Sequence, residues 1–306
     1  MAEMIDLARS SVQTWQADQM GHLNVQFYLE QATQALAALG LHLGLGPRFV
    51  AGEGARLFAR DHHVRFLREQ RPGAPFTLRG GVLDVRDFGL RVYIEMYNTV
   101  SDEVAASFAV DVELMDDETR ETKPLPARAK TAAKALMIEL PAHGAPRGLE
   151  IYPPRVAPTL AEAEAMKLVF TWQGEVQTAQ CDSQGFLVAR HFMGIVSDGI
   201  PNLLGKTRGD DRSKNNKVGG AALEYRFHYH SYPKAGDVLT LRSGLKSVGP
   251  KTYIWGHWLF DLETGKAVAT AEAVAIALDL ETRKAIPIPD EMRVQLEAMV
   301  APGLGV

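Results

Sequence analysis

Cysteine is almost missing from this chain: Cys181 is the only one in 306 residues, so no disulfide can form within it. A thiol count this low fits a reducing compartment, and a cytoplasmic protein is expected. Long apolar runs are missing too. No stretch reaches the ~18 residues a membrane-crossing helix needs. The opening MAEMIDLARSSVQTW also lacks the basic-then-apolar order of a signal peptide. Basic charge is not in excess; the formal net charge is -4, which argues against a nucleic-acid partner, since such proteins carry a basic stripe. What remains is a chain of 46% hydrophobic and 23% charged residues, long enough to bury a large core in one or two domains without staples.

What is present is a repeat. VQTWQADQMGHLNVQFY (Val12 to Tyr28) set over VQTAQCDSQGFLVARHF (Val176 to Phe192) matches at seven of seventeen positions without a gap. Composition alone gives about one match. Asp18 falls on Asp182 and Gly21 on Gly185. The stretches that follow keep step: VRFLREQRPGAPFTLRGGVLDV resembles FHYHSYPKAGDVLTLRSGLKSV, and each is followed by two alternating apolar/polar runs about a polar turn, SDE or ETGK. Such runs read as antiparallel hairpins.

Between the short first strand and these hairpins lies a helix. Val25, Tyr28, Leu29, Ala32, Leu36 and Leu39 recur at intervals of three and four, one apolar face, and Gly40 is expected to stop it. In the second copy Phe192, Ile195, Val196, Gly199 and Leu203 repeat the face, with Pro201 expected to kink or shorten the helix. The fold class that follows is α+β: two tandem units, each a long helix packed on a twisted antiparallel sheet. The expected boundaries are residues 1–120 for the first unit, 121–165 for a Pro/Ala-rich linker with a short helix in PARAKTAAKALMIE, and 166–306 for the second unit with a closing helix in PDEMRVQLEAMV. A tandem pair of this kind can join its sheets edge to edge and mimic a two-fold dimer, and outer edges left open would allow a homo-oligomer.

The polar cluster at the mouth of the first helix, Asp18-x-x-Gly21-His22-Leu23-Asn24 with Tyr28 in the helix, resembles the hotdog-fold acyl-CoA thioesterases of the 4-hydroxybenzoyl-CoA type. That resemblance covers about Val12 to Asp116 and Phe170 to Glu281. It implies a double-hotdog fold and hydrolysis of an acyl thioester, bound to coenzyme A or a carrier protein. It implies no metal, and no cofactor beyond the coenzyme A of the substrate. The second copy departs from the pattern, with Phe186 for the histidine and Val188 for the asparagine.

The chemistry fits the residue types. First-turn N–H groups of a helix are unsatisfied and carry partial positive charge. One such donor on a developing oxyanion is worth about 3 kcal/mol. Gly21 lets a ligand approach closely, and Leu23 and Tyr28 stand beside it as substrate contacts. Asp18 would act as general base for water or as nucleophile. His22 would hold the carbonyl or the leaving thiolate, and Asn24 would orient water or fix the loop. Asp and Asn are equally the residues that brace loops and cap helices. Asp182, without polar companions, reads as a loop brace in a second copy that supplies pocket wall, with a substrate contact from across the pseudo-dimer interface left open.

Other features yield less. Cys181 reads as packing. His62 and His63 are adjacent and so face opposite ways on a strand; His228 and His230 share a face but lack further ligands, and no metal site is expected. AGEGARLF lacks the strand–loop–helix setting of a dinucleotide site. Arg65, Arg68, Arg71 and Lys206 are candidates for coenzyme A phosphates or, more simply, solvated charges. Two other functions stay open: a non-catalytic acyl-CoA binder, and an enoyl-CoA hydratase, for which no Asp-x-Asn-Pro-x-His-like stretch is found.

Overall fold

In the computed structural model, which describes residues 2–208, 218–282 and 284–306, the chain divides into two units, Met1–Ala145 and Pro146–Val306. Unit 1 opens with strand β1 (Ile5–Ser11), a one-turn 3-10 helix (Thr14–Gln16), helix α1 (Val25–His42) and helix α2 (Pro47–Glu53). Strands β2 (Ala55–Phe66), β3 (Pro75–Val85), β4 (Gly89–Asn98) and β5 (Glu103–Asp116) follow, then helix α3 (Ala127–Ala135). The strands lie in the order β1-β3-β4-β5-β2, all neighbours antiparallel.

α1 forms because its apolar positions share one face. Tyr28, Leu29, Ala32, Ala35, Leu36 and Leu39 are buried along it, and burial of such a face, more than propensity, holds a helix of this length. Gly40 does not stop it, contrary to the sequence expectation. Leu39 and Leu43 are buried on either side of Gly40, so packing carries the helix past it to His42. The chain turns instead at Gly44, which takes the left-handed φ of 72° that glycine tolerates.

Unit 2 repeats the plan. It has a short helix α4 (Leu160–Ala165), strand β6 (Val169–Glu175), a 3-10 turn (Thr178–Gln180) and helix α5 (Ala189–Arg208). These lead into β7 (Val218–Tyr229), β8 (Val238–Val248), β9 (Thr252–Asp261), β10 (Ala267–Asp279), β11 (Lys284–Ile286) and α6 (Asp290–Glu297). The order is β7-β10-β9-β8-β6, with β11 added on β10. Pro201 lies inside α5 without shortening it; Phe192, Met193, Ile195 and Val196 before it and Leu203 after it are all buried, so both halves stay docked. α6 begins at Asp290 with Pro289 as its cap position, and no side chain caps it.

The repeat runs further than the sequence shows. In unit 1 the strap after α3 pairs with β3: Val82 N–H donates to Leu136 O and Ile138 N–H to Val82 O, each at 2.9 Å. In unit 2 the strap after α6 does the same on β8, where Ala301 N–H donates to Leu245 O at 2.8 Å. The parallel bridges Val82–Met137 and Leu245–Val300 match as well. Residues 121–145, read from sequence as the start of a linker, therefore fold back on unit 1 as the C-terminal tail does on unit 2.

Candidate active site

Between β1 and α1 the chain makes a tight loop set by backbone bonds. Asp18 N–H donates to His22 O (2.8 Å), Gly21 N–H to Asp18 O (3.0 Å) and Asn24 N–H to Gln16 O (2.8 Å). Gly21 sits at φ 76° with nothing within 4 Å of a would-be Cβ, so its role is conformational freedom and open approach. The Asp18 carboxylate braces the loop through one oxygen: Oδ1 accepts from the N–H groups of Met20 (2.8 Å) and His22 (3.2 Å). Oδ2 has no hydrogen-bond partner among the described residues, and the side chain is half-buried.

Asn24 is the N-cap of α1; its Oδ1 accepts from Gln26 N–H at 3.1 Å, and its carbonyl accepts from Phe27 N–H at 2.9 Å. Those bonds occupy two of the first-turn donors. Val25 N–H is the donor at the helix opening that none of these bonds occupies. Of the two roles the sequence left to Asn24, fixing the loop is the one its contacts show.

His22 is buried, with Nε2 3.1 Å from Glu69 Oε2 and 3.3 Å from an Arg71 guanidinium nitrogen. Nε2 can donate to Glu69 or accept from Arg71, and its tautomer selects which. A backbone bond from Leu23 N–H to Gln70 O (2.7 Å) pins the Glu69–Arg71 segment beside the loop. Leu23 and Tyr28 are buried; Tyr28 meets Phe66 edge-on with ring centroids 5.1 Å apart. Burial pushes the Tyr28 hydroxyl well above its ordinary range, with Glu69 and Asp18 adding to the rise, so it stays a neutral phenol. Trp15 and Met20, 74% and 49% exposed, flank the loop.

Glu69 is not legible from the sequence as a partner of His22. It lies 47 residues beyond His22 (69 − 22) in the β2–β3 connection, and nothing local marks it. Arg71, read from the sequence as a coenzyme A phosphate ligand or a solvated charge, lies beside His22 instead. Of the other cations in that set, Arg65 donates to the carbonyls of His143 (2.6 Å) and Ala145 (3.0 Å), Arg68 pairs with Glu103 at 3.2 Å, and Lys206 is exposed.

Unit 2 builds the same loop. Asp182 Oδ1 accepts from Gln184 N–H (2.9 Å) and Phe186 N–H (3.1 Å), and Gly185 takes φ 81°. Leu187 N–H donates to Pro233 O at 2.8 Å. The side chains differ: Lys234, in the place of Arg71, puts its ammonium 4.6 Å from the Phe186 ring centroid. Val188 offers no cap, and Ala179 and Gln184 stand where unit 1 has Trp15 and Met20.

Among the described residues no group of three or more His, Cys, Asp or Glu is placed to hold a metal, and no single helix is long and apolar enough to cross a membrane.

Comparison with known proteins agrees with this architecture. No curated protein sequence matches the chain. Among solved structures it is similar to the 12:0-ACP thioesterase from Umbellularia californica, with TM-score 0.65, 11% identity, and 90% of this chain and 94% of that one covered. It is also similar to an acyl-ACP thioesterase from Bacteroides thetaiotaomicron, with TM-score 0.63, 10% identity, and 88% and 96% covered. At such identities the likeness is one of fold. The sequence pattern of the Thioesterase-like superfamily matches twice, over residues 12–134 and 176–296, each match spanning one loop, its helix and the strands that follow that helix. The chain is two tandem hotdog units and belongs to the Thioesterase-like superfamily.

Proposed function

We propose that this protein hydrolyses an acyl thioester in unit 1, with Asp18 as the reacting carboxylate. The observation that carries the reading is the division of labour within that carboxylate: Oδ1 is spent on the loop while Oδ2 has no protein partner among the described residues. The Ala17–Leu23 bridge brings the loop back to the start of α1, where Val25 N–H is available to a carbonyl oxygen. Membership of the superfamily supports thioester chemistry, and the Asp-x-x-Gly-His-x-Asn order supports the 4-hydroxybenzoyl-CoA type within it.

In the general-base route Asp18 takes a proton from water as the water oxygen attacks the thioester carbon. The oxyanion develops toward the α1 N-terminus, the C–S bond breaks, and the thiolate leaves and is protonated. In the nucleophilic route Oδ2 attacks first, releasing the thiolate and leaving a mixed anhydride that water hydrolyses. In both, His22, set by Glu69 and Arg71, holds the carbonyl or the leaving thiolate. Asp182 braces its loop and performs no chemistry.

The test is release of free thiol from a panel of acyl-CoA and acyl-carrier-protein thioesters by the whole chain. Asp18→Asn keeps the Oδ1 acceptor and removes the base. It is expected to lower turnover by about 10²- to 10⁴-fold; unchanged turnover rejects the role. Tight binding of acyl-CoA with no release across the panel would instead support a non-catalytic binder.

A further inference from the structure

The β2–β3 connection meets the first loop through an anchor flanked by two charges. Gln70 is the anchor. It is buried, its carbonyl accepts from Leu23 N–H at 2.7 Å, and its side-chain oxygen accepts from Asn98 Nδ2 at 2.9 Å. Glu69 and Arg71 on either side are exposed, yet both side chains reach the same atom, His22 Nε2, at 3.1 and 3.3 Å. Unit 2 keeps the anchor, as Pro233 O accepts from Leu187 N–H at 2.8 Å. There Tyr232 and Lys234 stand in the places of the two charges, and Phe186 in that of the histidine. The connection therefore folds without a carboxylate and a guanidinium at this point.

One nitrogen cannot serve both neighbours at once. A guanidinium only donates and a carboxylate only accepts, so Nε2 takes the Arg71 bond when bare and the Glu69 bond when it carries a proton. The Arg71 contact has the geometry of a directed hydrogen bond, and a proton on Nε2 would stand head to head with that N–H. With Nε2 bare, the neutral ring carries its proton on Nδ1. A second proton then lands on Nε2, where the Glu69 carboxylate accepts it. Nδ1 is protonated in both states.

Nδ1 is also the nitrogen left for a ligand. It has no hydrogen-bond partner among the described residues and is not closed off from solvent; 11% of the His22 side chain is exposed. The other titratable groups about it are Asp18, whose Oδ1 accepts from His22 N–H at 3.2 Å, and Tyr28, which feels both Glu69 and Asp18. A carbonyl oxygen and a thiolate are both acceptors, so only a protonated Nδ1 can hold either one.

We propose that Arg71 is a positioning residue: by holding Nε2 bare it makes neutral His22 an Nδ1–H donor to the electron-rich atom of the reacting thioester, and Glu69 preserves that donor when the ring is charged. The neutral ring makes this bond without giving up its proton, since loss would leave an imidazolate. This role presupposes thioester hydrolysis in unit 1, but the state of the ring is read without substrate.

The test is the nitrogen–proton correlation spectrum of His22 in the full chain without ligand, at alkaline pH where the ring holds one proton. That proton is expected on Nδ1 in the unaltered chain and in Glu69→Gln, on Nε2 in Arg71→Leu, and back on Nδ1 in Arg71→Lys. A proton on Nε2 in the unaltered chain, or one that stays on Nδ1 in Arg71→Leu, would overturn the proposal. Hexanoyl-CoA and S-hexanoyl-N-acetylcysteamine, which has no phosphates, separate positioning from phosphate binding. Arg71→Leu is expected to lower kcat about 10- to 100-fold with both probes and to leave KM within about twofold, with most of the loss recovered in Arg71→Lys. A rise in KM confined to hexanoyl-CoA would show a phosphate contact and overturn the positioning role. If neither probe is hydrolysed, the ring proton decides alone. Asp18→Asn keeps the Oδ1 acceptor and is expected to leave the proton on Nδ1, so failure of either proposal is seen separately.

Discussion

The two loops before α1 and α5 share a backbone and differ in their side chains. Asp18 and Asp182 accept the same pair of N–H groups, and Gly21 and Gly185 take the same left-handed turn. What the repeats have in common is therefore what the loop needs in order to fold. What differs is the polar equipment around the loop: His22 with Glu69 and Arg71 against Phe186 with Lys234, and Asn24 against Val188. An aspartate in both loops is not by itself a catalytic signal. The aromatic pair under each helix makes the same point, since Tyr28–Phe66 in unit 1 becomes Phe192–Tyr229 in unit 2, with the hydroxyl moved from helix to strand.

The largest expected effect concerns pH. Burial holds His62 in unit 1 neutral, at about 4, and His257 in unit 2, at about 3. Both lie below the ordinary value near ~6.5. Between those values the unfolded chain binds protons that the folded chain refuses. Stability is full above about 6.5 and falls as pH drops toward the folded values, by about 1.4 kcal/mol per pH unit for each histidine. Urea unfolding at pH 7, 6 and 5 measures the slope. His257→Leu is expected to remove one histidine's share while leaving that of His62; an unchanged slope contradicts the assignment.

Next in size is backbone strain. Gly21→Val and Gly185→Val are each expected to destabilise by about 1–3 kcal/mol. Nothing lies within 4 Å of either position, so conformation alone sets the effect. Thermal unfolding of the two variants should give equal losses; a clear inequality would break the equivalence of the loops.

Smaller still is the helix cap. Asn24→Ala is expected to destabilise by about 1 kcal/mol, and Val188→Asn, which supplies unit 2 with the cap it lacks, to stabilise by about 0.5 kcal/mol. Denaturant midpoints check both, and no gain from Val188→Asn would show that the α5 N-terminus is set differently.

Much of the fold was legible because the periodicities are strong. The i, i+3, i+4 face of α1 and the paired hairpins required no tertiary information. Gly40 misled because local propensity is weaker than a buried face on both sides of the residue, and for the same reason Pro201 does not end α5. The straps at residues 136–145 and 299–306 were hidden because each contributes only a few backbone bonds and its sequence carries no period. In the candidate site, the loop and cap positions of Asp18, Gly21 and Asn24 were legible from spacing. Glu69, brought to His22 by one backbone bond at Gln70, was not.

The most direct test compares the two aspartates in one assay: thiol release and melting temperature for Asp18→Asn and Asp182→Asn side by side. The expected result is nearly equal melting temperatures, with turnover lost in Asp18→Asn and within a few-fold of the unaltered chain in Asp182→Asn. Equal loss of turnover in both, or none in either, would contradict a reaction confined to the first loop.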